Sequence, residues 1–289
     1  MRFGIIGTGV VGTALAVRLE QVGYECVGAT TRSESSYARF RKYLDRDFLS
    51  LEELVPQVDI LFITTQDGMI STVAANLAKR GLFRPGQLWI HCSGSLRAQV
   101  LKTRPDLPLK YLSLHPLQAF ANVDEALAIL EGTHFGVEGE GEEEGEEIVR
   151  ALGGIPHRLN SEHKALYHAG AVISSNYMVV LAALAERLFR EAGIEPEEAL
   201  ESLLPLMKGT LHNLSKVKVP QALTGPIARG DTEVIKGHLA QLSPDIVPTY
   251  LDLGRHALEL GREKLEMSGK EYLPGVWQEL TQIFGGLES

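Results

Sequence analysis

The stretch Gly4-Ile5-Ile6-Gly7-Thr8-Gly9-Val10-Val11-Gly12 decides how this chain is read. Before it, residues 1–6 are short and mostly apolar, enough for one buried strand. After it, Val10, Val11, Ala14, Leu15, Leu19 and Val22 recur at helical spacing until Gly23. Strand, glycine turn and helix form the geometry that holds a dinucleotide pyrophosphate. Gly7 permits the tight turn, Gly9 lets the backbone approach phosphate, and Gly12 lets the helix pack against the strand. The helix start then offers free N–H groups and a partial positive charge to the anion. Gly7, Thr8, Gly9, Val10, Val11 and Gly12 are therefore the expected cofactor cradle.

The second strand refines the cofactor. Residues 24–31 read as a strand that ends at Arg32-Ser33. An NAD site usually places Asp or Glu about 20 residues past the fingerprint, where it accepts from the ribose 2′-hydroxyl. Here that place holds Arg32. A carboxylate would repel a 2′-phosphate, whereas a guanidinium binds it with charge-assisted hydrogen bonds. Thr31, Arg32 and Ser33 are the expected 2′-phosphate ligands, and NADP the expected cofactor.

Composition narrows the class. At 289 residues, the chain is longer than one Rossmann unit and predicts two domains. Its net charge of −9 argues against nucleic acid as a partner. Much of that charge is local: residues 138–147, EGEGEEEGEE, hold seven glutamates, and without them the balance is −2. This run reads as a solvated loop and the first turn of a helix, where carboxylates suit the dipole. Arg2 leads straight into a strand of the fold, so no signal peptide is expected. No apolar run is expected to span a membrane. Cys26 and Cys92 fall on separate predicted strands, which points to neither disulfide nor zinc and fits a reducing cytoplasm. HxxxH and HExxH spacings are absent, and no catalytic metal is expected.

The first half alternates strand and helix. Further strands are expected at 59–65, 86–92, 110–114 and 134–137, with helices at 69–80, 96–103 and 142–152. That alternation predicts an α/β domain with a mainly parallel, doubly wound sheet. The pattern changes near 158–162. After Ser161, residues 162–192 run without proline to Gly193 and predict one interdomain helix of about 30 residues, near 45 Å long. Helical stretches at 196–215, 231–241, 244–266 and 275–284 follow. The expected division is a dinucleotide-binding Rossmann domain over 1–158 and an all-helical substrate and dimerisation domain over 159–289.

Four segments carry a resemblance. They are His91-Cys92-Ser93-Gly94-Ser95, Leu114-His115-Pro116-Leu117-Gln118-Ala119-Phe120, residues 167–177 (YHAGAVISSNY) and Gly225-Pro226-Ile227-Ala228-Arg229-Gly230-Asp231. Together they resemble a bacterial family of Rossmann-like proteins whose C-terminal half is a domain of unknown function, DUF2520. More widely, a Rossmann half plus a long helix resembles the 6-phosphogluconate dehydrogenase-like group, which includes pyrroline-5-carboxylate reductase. The resemblance implies an NADP-dependent oxidoreductase and leaves the substrate open. There is one departure. Hydroxy-acid dehydrogenases of that group carry a lysine one helical turn before an asparagine. Asn176 matches the asparagine, but Val172 stands where the lysine belongs.

Rossmann ligands lie at the carboxyl ends of strands. Thr64 and Thr65 follow one predicted strand, Ser93 the next, and His115 the third. His168 and Asn176 are two turns apart and share a helical face. Ser93, His115, His168 and Asn176 are the candidate catalytic residues, expected to converge in a cleft between the domains. Imidazole is the most usable acid or base among them near neutral pH. Arg229 reads as the partner of Asp231. The leading function is hydride transfer to or from a small carbonyl, imine or hydroxy acid. The alternative is a non-catalytic NADP(H)-binding redox sensor. The long helix has apolar residues on more than one face, and in related reductases a second subunit covers that surface. A homodimer is therefore expected through the helical half.

Overall fold

The computed structural model describes residues 1–285. Seven strands form one sheet: β1 (Arg2–Ile6), β2 (Glu25–Thr30), β3 (Ile60–Ile63), β4 (Leu88–His91), β5 (Lys110–Pro116), β6 (His134–Gly139) and β7 (Ile155–Arg158). Their order is β2-β1-β3-β4-β5-β6-β7. Neighbours pair in parallel except β5 and β6, which are antiparallel. The chain reverses direction across the sheet between β1 and β3, and that switch point is where such sheets open a ligand crevice.

Helices α1 (Val10–Gln21), α2 (Glu34–Arg41), α3 (Leu51–Leu54), α4 (Asp67–Lys79), α5 (Val123–Ile129) and α6 (Glu142–Ala151) accompany the strands. Both faces of the sheet are covered, which is why β3 is apolar at every position. Ile60 and Phe62 join Leu15 and Leu19 of α1 and Ile148 of α6 on one face. Leu61 and Ile63 join Leu54 of α3 and Ile70 and Leu77 of α4 on the other. The fold is the doubly wound α/β arrangement that the strand–helix alternation predicts.

Three local expectations differ. Residues 96–103 form only a 3-10 turn at Ala98–Leu101, closed by Val100 and Lys102 N–H donating to Arg97 and Gln99 carbonyls. Pro105, shortly beyond, leaves no room for a longer helix. The strand β7 was not expected, because Pro156 interrupts its pattern; as an edge strand it tolerates proline. The long helix is not continuous. A 3-10 turn at Ser161–His163 leads into α7 (Lys164–Ser174), and α8 (Asn176–Glu191) begins after a break at Ser175, whose φ and ψ are −118° and −67°. The Ser174 hydroxyl turns back onto the Ala171 carbonyl at 3.1 Å, a bond that bends helices.

The expectation of no membrane-length apolar run also needs correction. Residues 161–191 are long and apolar enough to cross a membrane by length and composition alone. The run was masked in sequence by Glu162, His163 and Lys164 at its start.

The chain divides into two compact units, the first Met1–Tyr177 and the second starting at Met178. The division falls after α7, later than the change of pattern at 158–162. The second unit holds α8 from Met178 onward, α9 (Pro196–Leu214), α10 (Val219–Ala222), α11 (Pro226–Arg229), α12 (Thr232–Gln241), α13 (Val247–Met267) and α14 (Val276–Gly285). Its core gathers Ile235, Leu251, Leu258, Leu280 and Phe284. Arg229, the last residue of α11, pairs with Asp231 at 2.8 Å, the partner expected for it.

Candidate functional site

The glycine turn lies at the switch point. Gly7 has φ +100°, and a Cβ there would stand 2.8 Å from the Thr64 carbonyl. A Cβ at Gly12 would clash with Thr64 Oγ1 and with the Gly7 carbonyl. These two glycines are demanded by the protein itself. Gly9 is different: a Cβ there meets nothing within 4 Å. Its openness leaves room for a ligand against the backbone. Gly9 caps α1 without a side-chain hydrogen bond, so the N–H groups around Val10 and Val11 face no competing acceptor from the cap. The Thr8 hydroxyl is buried without a partner beside them.

A cleft of about 580 Å³ opens from this turn, lined among others by Gly7, Thr8, Gly9, Thr31, Arg32, Ser33, Thr64 and Thr65. Thr64 Oγ1 donates to the Gly7 carbonyl at 2.6 Å and ties β3 to the turn. Arg32 is exposed, and Ser33 caps α2 by accepting from Ser36 N–H. Glu34, the first residue of α2, does not line the cleft. Eight of the expected cofactor-binding residues line this opening; Val10, Val11 and Gly12 do not.

A second cluster sits past β4 and β5. His91 is fully buried; its Nδ1 accepts from Ser93 N–H at 3.1 Å, and its Nε2 lies 3.2 Å from the Arg97 carbonyl. Ser93 Oγ donates to Asp67 Oδ2 at 2.6 Å and accepts from Leu96 N–H. Gly94 is the hinge of the cluster. A Cβ at Gly94 would stand 2.7 Å from His115 Nε2 and 2.8 Å from His168 Cδ2. The two imidazoles thus approach the same backbone position, with ring centroids 6.5 Å apart. His115 Nδ1 is 2.9 Å from the Tyr167 hydroxyl. Burial, then the Lys164 ammonium and His168, lower the His115 pKa from 6.5 to about 4. Burial and Lys164 do the same to His91, also to about 4. Burial pushes Tyr167 up to about 12.

His115 and His168 therefore meet at the backbone of Gly94, next to Ser93, whose hydroxyl is taken by Asp67. Asn176 is exposed and lies beyond the break at Ser175. Sequence reasoning missed Lys164 and Glu138. Both are almost wholly buried, 1% and 2% exposed, and they pair at 3.5 Å. Glu138 was read as part of a solvated run, but it is the inward-facing end of β6. The signal was its position directly after the apolar strand residues 135–137.

Residues 1–116 match the Rossmann-like domain family, and residues 133–257 match the domain of unknown function DUF2520. No curated protein matches the chain in sequence. Among solved structures, a protein from Thermotoga maritima is 27% identical with a TM-score of 0.69, covering 93% of this chain and 100% of its own. A protein from Bacteroides fragilis, provisionally described as an NADP oxidoreductase, is 24% identical with a TM-score of 0.69, covering 89% and 98%. The 1-pyrroline-5-carboxylate reductase of Streptococcus pyogenes is 21% identical with a TM-score of 0.59, covering 99% and 98%. The chain thus joins a Rossmann-like domain to a DUF2520 domain.

Proposed function

We propose that the protein is an NADP(H)-dependent oxidoreductase acting on a small carbonyl, imine or hydroxy acid. The observation that carries this reading is the glycine turn, open at Gly9, at the mouth of a cleft that reaches Arg32 and Ser33. The residues fit the cofactor: backbone N–H groups at α1 for the pyrophosphate, and Arg32 with Ser33 for a 2′-phosphate. The nicotinamide ring supplies or accepts the hydride. His115 acts in its neutral form, because its pKa of about 4 leaves it uncharged at physiological pH. With the Tyr167 hydroxyl donating to Nδ1, the ring proton resides on Nε2, which faces Gly94 and His168. A neutral imidazole N–H polarises a carbonyl or imine as a hydrogen-bond donor. Following NADPH absorbance against panels of imines, carbonyls and hydroxy acids tests this reading. Cyclic imines come first, given the likeness to a pyrroline carboxylate reductase. Turnover that falls in His115→Ala and His168→Ala with NADP(H) affinity retained supports it. Tight binding without turnover on any panel supports the redox-sensor reading instead.

The partner of the helical half is, in this reading, a second copy of the chain. No residue of α8 is buried, and Val179 is 70% exposed. On α9, Leu206 is 67% exposed, with Leu200, Leu204, Leu211 and Leu214 also open. A folded monomer rarely leaves so many large apolar side chains open to water.

A further inference from the structure

Two rungs join β5 to α7. Ser113 and His115 alternate onto one face of β5. Opposite them, β6 pairs Glu138 with Ser113 and Gly136 with His115. On α7, Lys164, Tyr167 and His168 stand at i, i+3 and i+4, and so share one face. In the first rung, Lys164 Nζ donates to Ser113 Oγ and lies 3.5 Å from Glu138 Oε2. In the second, Tyr167 meets His115, and Gly136 makes room: a Cβ there would stand 3.0 Å from the Tyr167 hydroxyl oxygen.

The first rung also reaches the serine loop. Ser113 Oγ donates to the Ser93 carbonyl at 3.3 Å, and Glu138 Oε2 accepts from Ala98 N–H at 2.7 Å. Glu138 Oε1 accepts from the Ser161 hydroxyl just before α7. One buried charge pair is therefore tied to β5, β6 and the start of α7, and through Ser113 to the serine loop. A buried pair is a poor source of stability, since desolvation offsets its attraction; apolar residues of like volume often serve as well. Its directional contacts, however, fix one register.

We infer that Lys164 is a positioning residue: held between Glu138 and Ser113, it sets α7 over β5 so that Tyr167 and His168 meet His115. It touches no reacting atom. The groups facing His115 are Lys164, Tyr167 and His168 on α7, Asp67 at the start of α4 and His91 on β4. The ammonium opposes protonation of His115, and Asp67 favours it. The functional weight of this inference rests on the reading of His115 and His168 given above. Its test needs neither cofactor nor substrate, so the two fail separately.

The test is ¹⁵N NMR of the histidine side chains in the full chain, with His115 assigned by its loss in His115→Gln. Lys164→Met/Glu138→Gln removes both charges and leaves no buried ion unpaired. In it, the His115 Nδ1 signal is expected to move to its position in Tyr167→Phe. Its titration is expected to rise by about one pH unit or more toward that of a free imidazole. Ser113→Ala, a smaller change that keeps the ion pair, is expected to move Nδ1 the same way by less. Retention of the wild-type Nδ1 shift and titration in either folded variant overturns the inference and leaves Lys164 a structural ion.

Discussion

The Tyr167 hydroxyl lies 2.9 Å from Nδ1 of His115, and the two rings meet edge to face with centroids 5.6 Å apart. Residues 52 positions apart in sequence are thereby locked into one group. Burial of His115 favours its neutral form, in which Nδ1 and the phenol share one proton-donor contact.

That charge state has a consequence for stability. His91 and His115 each have a folded pKa of about 4 against an ordinary 6.5. Between those values the unfolded chain binds more protons, so their contribution is complete above pH 6.5 and is lost as pH falls toward 4. A tenfold difference in proton affinity corresponds to about 1.4 kcal/mol. Thermal unfolding of the wild type is expected to fall over that window, and His115→Gln to fall less steeply. Parallel profiles for the two proteins contradict the assignment.

Gly94→Ala tests the meeting of the imidazoles. Its methyl would press on His115 Nε2 and His168 Cδ2 together. Displacing both rings is expected to lower turnover at least tenfold, about 1.4 kcal/mol of barrier, with NADP(H) affinity unchanged. Unaltered kinetics would show that the two rings do not act at the reacting centre.

Arg32→Ala tests cofactor choice. Loss of a charged hydrogen bond to phosphate costs about 1.5–3 kcal/mol. NADPH affinity is expected to fall about 10- to 100-fold, with NADH little changed. Calorimetry showing tighter NADH than NADPH in the wild type contradicts the 2′-phosphate role.

Light scattering tests assembly. The wild type is expected at dimer mass at micromolar concentration, and Val179→Glu/Leu206→Glu at monomer mass. A wild-type monomer refutes self-association, and recovery only with detergent or lipid would assign the apolar face to a membrane.

Much of the sheet was legible because its signals are local. The run from Gly4 to Gly12 carries strand, turn and helix within a few residues, and Ile60 to Ile63 reads as a strand buried on both faces. Ser93, His115 and His168 stand out in the sequence because each belongs to a short polar group beside an apolar element. What stayed hidden depends on distant partners. Glu138 looks like any glutamate in an acidic run until β6 places it opposite Ser113, and Lys164 looks like a helix-start lysine until Glu138 receives it. Pro156 conceals β7 because only the sheet order shows that it lies at an edge. The break at Ser175 depends on a backbone choice that apolar periodicity does not register.

The central claim is that the turn at Gly9 binds the pyrophosphate of a nicotinamide dinucleotide. Gly9 allows a direct test, because a Cβ there meets no protein atom within 4 Å beyond its chain neighbours. Gly9→Val should fold with the wild-type melting temperature while blocking the approach of phosphate to backbone. Calorimetric titration with NADPH is expected to give saturable binding at one site per chain in the wild type and at least 100-fold weaker binding, about 2.7 kcal/mol, in Gly9→Val. No binding by the wild type, or equal affinity in the two folded proteins, would contradict the claim.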